Sequence, residues 1–300
     1  MARADAGIAV ACLTVAEAVR AAALAMQAAG IEDAGGDARR LVGAVLELSA
    51  AELLSRQHYP IAPEQAASIR SYMDRRRRRE PVSRILGERD FYGRRFAISP
   101  ATLDPRPDSE TLIEAVLDLV RSDGRMGTPL HLIDVGTGSG CLLLTLLSEL
   151  PQATGTGTDF SPAALDVARA NAASFGVADR ATWVVADALE GTAGRFDMLI
   201  ANPPYIRSGD IAGLEPEVRE YDPILALDGG VDGLNLYRRI AAGLPTAVPN
   251  GWALFEVGYD QADAVAALLT RDPRAESRGD LRFYRDVTGR RRCVAARTQS

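Results

Sequence analysis

Asn202-Pro203-Pro204-Tyr205 concentrates more usable chemistry than any other four residues of the chain. It follows Phe196–Ala201, a short apolar run that reads as a strand. A proline pair after a strand can be no more than a rigid turn. It can also be a clamp for a planar NH2 group. The Asn202 side-chain oxygen and the Pro203 carbonyl can each accept one proton of that group, proline adds only acceptors, and Tyr205 can pack flat against it. The nitrogen of an amide or aromatic amine is a poor nucleophile because its lone pair is delocalised. Reaction there depends on aiming it, and near-attack positioning supplies about 7–11 kcal/mol in favourable cases.

A second constellation lies upstream. Asp134-Val135-Gly136-Thr137-Gly138-Ser139-Gly140 joins a predicted strand to a predicted helix. Glycines there let a ligand approach the backbone, and a helix N-terminus presents free N–H groups. Such turns also occur where a strand simply packs on a helix. A dinucleotide fingerprint requires G-x-G-x-x-G. Counted from Gly136, the sixth position is Cys141, so that pattern fails. Asp159 stands 19 residues after Gly140, at the end of the next predicted strand. It can accept hydrogen bonds from both hydroxyls of a ribose, at about 1.5–3 kcal/mol each. Asp187, followed by Ala188, ends the third strand, where it either reaches an adenine amino group or is a turn residue. Matching groups at three strand ends favour a nucleotide cofactor.

The remaining inventory excludes other chemistry. The 300 residues include 34 Lys+Arg, every one arginine, so Schiff-base and phosphate-loop lysines are ruled out. His58, His131, Cys12, Cys141 and Cys293 show no metal-ligand spacing, and no metal is expected. The net charge of −6 gives no overall basic footprint. Residues 1–85 carry 12 Arg and 10 acids, a net +2, and residues 86–300 carry 22 Arg and 30 acids, a net −8. The alanine-rich N-terminus is interrupted by Asp5, Glu17 and Arg20, so no membrane span is expected. Scattered cysteines suit a reducing, cytoplasmic setting.

The elements that must position these groups fall into three stretches. Residues 1–80 read as a small helical domain. Thr14 and Glu17 fit a capping box, Gly30 stops that first helix, and further helices span Ala38–Leu48, Ala50–Arg56 and Pro63 towards Tyr72. The run Arg75–Arg79 has two readings, a solvated helix end at a domain boundary (the favoured one) and a contact to phosphate or an acidic partner. Residues 81–105, with Phe91, Gly93 and Phe96, suggest a β-hairpin linker. Residues 106–300 open with a helix over Thr111–Arg121 and then alternate strand and helix from Leu130 onward. That alternation predicts an α/β domain with a mostly parallel sheet covered on both faces. Two strands joined near Thr288-Gly289 form an antiparallel edge hairpin.

The acidic residue followed by G-x-G-x-G resembles the cofactor loop of Rossmann-like, class I methyltransferases that use S-adenosyl-L-methionine. With N-P-P-Y it resembles the amino-methyltransferases, which include N6-adenine DNA and protein-glutamine N5 enzymes. Three further segments narrow this: Arg84–Gly93, Pro105-Arg106-Pro107-Asp108-Ser109-Glu110 and Ala226–Leu234 look like the PrmC/HemK family. The resemblance covers nearly the whole chain, and the fold it implies is a methyltransferase domain preceded by a helical domain that helps engage the substrate. It implies methyl transfer to the glutamine of the Gly-Gly-Gln motif in class-1 peptide chain release factors. Gly136, Thr137, Gly138, Ser139, Gly140, Asp159, Asp187, Ala188 and Asn202 would contact S-adenosyl-L-methionine, and Asn202, Pro203, Pro204 and Tyr205 would hold the glutamine. A ribosomal-protein glutamine is the sister substrate. DNA is disfavoured by the −8 of residues 86–300. The chain departs from the family at Ala188, where an aromatic residue is frequent, and at Asp108-Ser109, where Glu-Thr is frequent. Arg106 and Glu110 have two equal readings, at the border of the cofactor pocket or as packing and capping groups.

Overall fold

A computed structural model describes residues 13–270 and 278–298, so Cys12 lies outside the described residues. The chain divides into two units, Met1–Gly87 and Glu88–Ser300.

The first unit is helical: α1 (Val15–Ala28), α2 (Ala34–Leu46), α3 (Ala50–Ser55), α4 (Pro63–Arg77) and α5 (Val82–Leu86). Local sequence sets the starts. Thr14 with Glu17 and Ser49 with Glu52 close reciprocal capping boxes, and Pro63 opens α4. α2 begins at Ala34, ahead of the expected Ala38, because the Asp33 carboxylate accepts from the Gly36 N–H at 3.0 Å. The unit also runs past residue 80. α5 buries Ile85 in the core formed by Val15, Met26, Leu41 and Ile69, and Gly87 ends it at φ +74°.

The arginine run is not simply solvated. Arg76 is buried, and its Nε donates to Asp37 Oδ2 at 2.8 Å, tying α4 to α2. Arg75 forms a two-pronged pair with Glu80 and donates to the carbonyls of Arg84 and Ile85. Arg79 donates to the Gly30 carbonyl. These guanidiniums hold the helical unit together from within.

The second unit starts with the antiparallel hairpin β1 (Glu88–Phe91) and β2 (Arg94–Ala97). Tyr92 and Gly93 both take positive φ, as a two-residue hairpin turn requires. The hairpin is part of this unit's core and not a free connector. Phe91 and Phe96 are buried in that core, the Phe96 ring meeting Phe175 edge-on at 4.7 Å, and Asn171 exchanges two hydrogen bonds with Ala97. The remaining elements are α6 (Glu110–Ser122), β3 (His131–Val135), α7 (Cys141–Glu149), β4 (Thr154–Asp159), α8 (Pro162–Ser174), β5 (Ala181–Val185), β6 (Met198–Ala201), α9 (Pro216–Arg219), α10 (Asn235–Ala247), β7 (Trp252–Glu256), α11 (Ala262–Leu269), β8 (Leu281–Arg285) and β9 (Arg291–Arg297).

The sheet order is β5-β4-β3-β6-β7-β9-β8. The first five strands are parallel, and β9 runs antiparallel to both β7 and β8. One core packs Leu112, Val116 and Leu144 with the hairpin phenylalanines. A separate core gathers Tyr237, Ile240 and Val265 from α10 and α11. The strand order reverses between β3 and β6, the place where open α/β sheets take their ligands.

Replacing Arg76 by Ala leaves Asp37 buried without its cation. The expected loss is about 3–5 kcal/mol in denaturant unfolding. The double change Arg76→Met with Asp37→Leu is expected to restore most of it.

Candidate active site

The parallel pairing of β3 with β4 and β6 brings the chemical residues to one edge. Val135 lies opposite Thr158 on one side and Ala201 on the other. The glycine loop, Asp159 and Asn202 therefore leave adjacent strand ends. They meet at a cavity of about 270 Å³ lined by Gly136, Thr137, Gly138 and Ser139, by Asp159, Asp187 and Ala188, and by Asn202 and Pro204.

The loop is built from within. Gly136 and Gly138 have φ of +74° and +57°, and a Cβ on Gly136 would meet open space. Gly140 does not line the cavity. Its φ is +79°, and a Cβ there would come within 2.9 Å of Leu144, so it is a close-packing glycine at the head of α7. Asp159 is held by two backbone donors, Gly138 N–H and Ser161 N–H, each at 2.9 Å. Burial raises its pKa despite those bonds. Asp134 is more deeply enclosed. Oδ2 accepts from the Thr137 hydroxyl at 2.7 Å, and Oδ1 has no partner. Burial pushes its pKa up to about 7.

Asp187 sits at the rim, its carboxylate paired with Arg239 at 2.7 Å. Ala188 is buried at φ +57°, and its carbonyl accepts from Thr158 Oγ1. The aromatic side chain lining the cavity is Phe160, directly after Asp159, a position that no motif in the sequence marks. Leu103 and Leu142 also line it. Their signal in the sequence is only that of ordinary apolar residues.

The N-P-P-Y segment is supported by its backbone. Tyr205 O accepts from Gln261 Nε2 at 2.9 Å, and Gln261 Oε1 in turn accepts from Gly258 N–H. The loop Asp228–Gly233 lies against the turn, where Gly229 N–H donates to Ile206 O. A Cβ on Gly229 would fall 2.5 Å from Pro204 O, and one on Gly233 would fall 2.4 Å from Tyr205 O. Those glycines are what permit the close approach. Pro203 is buried, and neither it nor Tyr205 is among the residues lining the cavity. The Tyr205 ring packs against the core of α10 and α11, and burial raises its hydroxyl pKa to about 12.

Asn202 Nδ2 donates to Ser109 Oγ at 3.1 Å. Arg106 lines the cavity while paired with Asp222. Glu110 instead accepts from Tyr92 N–H at 2.9 Å, so it is the packing reading that fits this residue. Among the described residues, no cluster of three or more His, Cys, Asp or Glu is arranged to hold a metal ion, and no helix is long and apolar enough to cross a membrane.

A Rossmann-like sheet with its loop and tetrad on one edge defines the class, a methyltransferase domain that follows a helical domain in the chain. Comparison with known proteins agrees. The PrmC N-terminal domain matches residues 17–87, and the methyltransferase small domain matches residues 113–214. The catalytic domain of hMettl16, solved with the MAT2A 3′UTR hairpin 6, shares the fold at a TM-score of 0.52 with 18% identity, covering 68% of this chain and 76% of that one.

Curated relatives make the assignment particular. The release factor glutamine methyltransferase of Rhodospirillum rubrum is 44% identical over 92% of this chain and 82% of its own length. The one from Cereibacter sphaeroides is 43% identical over 95% and 99%. The chain belongs to the release factor glutamine methyltransferase family.

The raised pKa of Asp134 fixes the sign of a stability effect. Unfolded, the carboxyl ionises near pH 4, and folded near 7. Between those values the unfolded state holds fewer protons, so native stability falls as pH rises. Asp134→Asn is expected to be more stable than wild type above pH 7, by about 2–4 kcal/mol at 1.4 kcal/mol per unit. The two should converge below about pH 4, as read by thermal unfolding across pH.

Proposed function

We propose that this chain transfers a methyl group from S-adenosyl-L-methionine to the side-chain amide nitrogen, N5, of the glutamine in the Gly-Gly-Gln motif of class-1 peptide chain release factors. The observation that carries the reading is that Asn202 and Pro204 line the same cavity as Gly136–Ser139 and Asp159. The relatives' name supports the substrate.

The residues present fit the cofactor. Gly136 leaves open space beside the loop backbone, Asp159 is oriented as an acceptor by two N–H groups, and Phe160, Leu103 and Leu142 add apolar surface. Asp187 and Ala188 would hold the adenine, with the Asp187 carboxylate already shared by Arg239. When bound, S-adenosyl-L-methionine supplies a sulfonium methyl whose C–S bond electrons stay on sulfur as the new N–C bond forms.

The protein's part is alignment. Asn202 Oδ1, on the cavity wall, accepts one N–H proton of the glutamine amide and holds its nitrogen in line with the methyl, and the Pro203 carbonyl takes the other only if the substrate reaches past the cavity lining to this buried residue. Tyr205 props the turn from the core side. The nitrogen becomes strongly acidic as it gains the methyl, and its proton leaves to solvent without a dedicated base. His131 stands at the opposite end of β3 from the glycine loop, so it takes no part. The location that accompanies this substrate is cytoplasmic, a setting that suits the free thiols of Cys141 and Cys293.

Labelled methyl transfer to a purified release factor, a ribosomal protein and DNA, run side by side, tests the reading. Label is expected in the release factor, and label confined to either of the others would overturn it. Asn202→Ala is expected to lower transfer by about 100-fold or more while calorimetry still detects cofactor binding. Asp159→Ala should weaken cofactor binding by about 10- to 100-fold, the equivalent of one charge-assisted hydrogen bond.

A further inference from the structure

Glu256, the last residue of β7, is 1% exposed, and neither of its carboxylate oxygens has a donor at full hydrogen-bond geometry. A buried carboxylate without partners is costly and demands an explanation. Of its neighbours, the Ser109 hydroxyl does most to favour the ionised form, followed by the Arg292 charge. Ser109 is itself 3% exposed, and its oxygen already accepts from Asn202 Nδ2. A hydroxyl has one proton to give. Ser109 also lines the cavity, so that proton can turn to the cavity or to Glu256, and of these the buried carboxylate is the stronger acceptor.

We infer that Glu256 and Ser109 are positioning residues that decide which end of the Asn202 amide faces the reacting nitrogen. When the Ser109 proton is drawn to the Glu256 carboxylate, Ser109 offers Asn202 only lone pairs. The Nδ2 end must then turn to Ser109, and Oδ1 is left for the cavity as the acceptor that a substrate NH2 needs. If Glu256 carries a proton, its O–H can donate to Ser109. The serine proton is then free for Asn202 Oδ1, and the amide turns over. Its NH2 would face the substrate NH2, donor against donor. This inference rests on the amide-methylation reading above.

Burial sets the Glu256 pKa at about 7, so the switch falls in an accessible range. Arg106, Arg292 and Asp108 also face it, and Asp108 is paired with Arg292 at 2.9 Å. Tyr205 and Cys141 are raised to about 12, and Tyr237, whose hydroxyl donates to the Glu256 backbone carbonyl, and Cys293 are raised further.

The test compares kcat at saturating cofactor and release factor for wild type and Glu256→Gln from pH 5.5 to pH 8.5. The amide introduced by that substitution can donate to Ser109 at every pH, so it stands in for protonated Glu256. The expected wild-type to variant ratio is about 10 or more at the alkaline end and falls towards one at the acid end. The Asp134 ionisation is common to both proteins and cancels in the ratio. A ratio that is constant with pH, or one throughout, overturns the inference, because the loss of kcat then does not follow the ionisation of Glu256. Ser109→Ala provides a second variant should Glu256→Gln unfold. It is expected to lose kcat with calorimetric cofactor affinity unchanged, and Ser109→Thr, which keeps a hydroxyl, to recover it. Ser109→Ala at wild-type kcat would equally overturn the relay. If wild type itself transfers no methyl to the release factor, the underlying function falls instead, a distinct result.

Discussion

The parallel pairing of β3 with β6 is the constraint on which the site depends. Val135 opposite Ala201 places the residues that follow each strand side by side. The glycine loop leaves one strand and Asn202 leaves the next, and no long side chain has to bridge them. Shifting that pairing by one residue would turn every β6 side chain to the other face and separate Asn202 from the loop. The strands hold this arrangement because both faces are filled, by α6 and α7 on one core and by α10 and α11 on the other.

Two buried carboxylates stand at the ends of these strands. Asp134 lies one residue before the close of β3 and Glu256 closes β7, and burial brings both to a pKa of about 7. Neither is well satisfied, since Asp134 Oδ1 has no partner and neither Glu256 oxygen has a donor at full hydrogen-bond geometry. Such groups cost stability when ionised, and proteins retain them where function needs a fixed charge or acceptor. The backbone around them shows the same economy of space. Gly229 and Gly233 let the Asp228–Gly233 loop lie on the carbonyls of Pro204 and Tyr205 at distances that a Cβ would forbid. Gln261 completes that brace with one amide.

The absence of lysine and the scarcity of histidine suit this chemistry. Under the proposed reading, transfer of a methyl to an amide nitrogen needs hydrogen-bond acceptors and alignment, roles that an asparagine and a backbone carbonyl can fill without lysine or histidine. Arginine takes up the structural work. Arg76 and Arg75 hold the helical unit, Arg106 engages Asp222, and Arg239 engages Asp187.

Much of the secondary structure was legible in the chain, because caps, prolines and apolar periodicity act locally. Thr14–Glu17, Ser49–Glu52 and Pro63 start helices where their chemistry says they should. The glycine loop, Asp159 and N-P-P-Y were likewise visible as residue types at strand ends. Partnerships across the sequence were not. Nothing near Arg76 marks it as the buried partner of Asp37, 39 positions away. Nothing near residues 81–105 shows that the hairpin belongs to the core of the second unit, or that Asp187 is shared with Arg239. Which groups could do the chemistry was written in short segments, since residue type and local backbone preference are local properties. That Asn202 rests on Ser109 with Glu256 nearby follows from the fold, because the junction joins three chain segments, 93 and 54 residues from Asn202 at its ends, which the sheet order brings together.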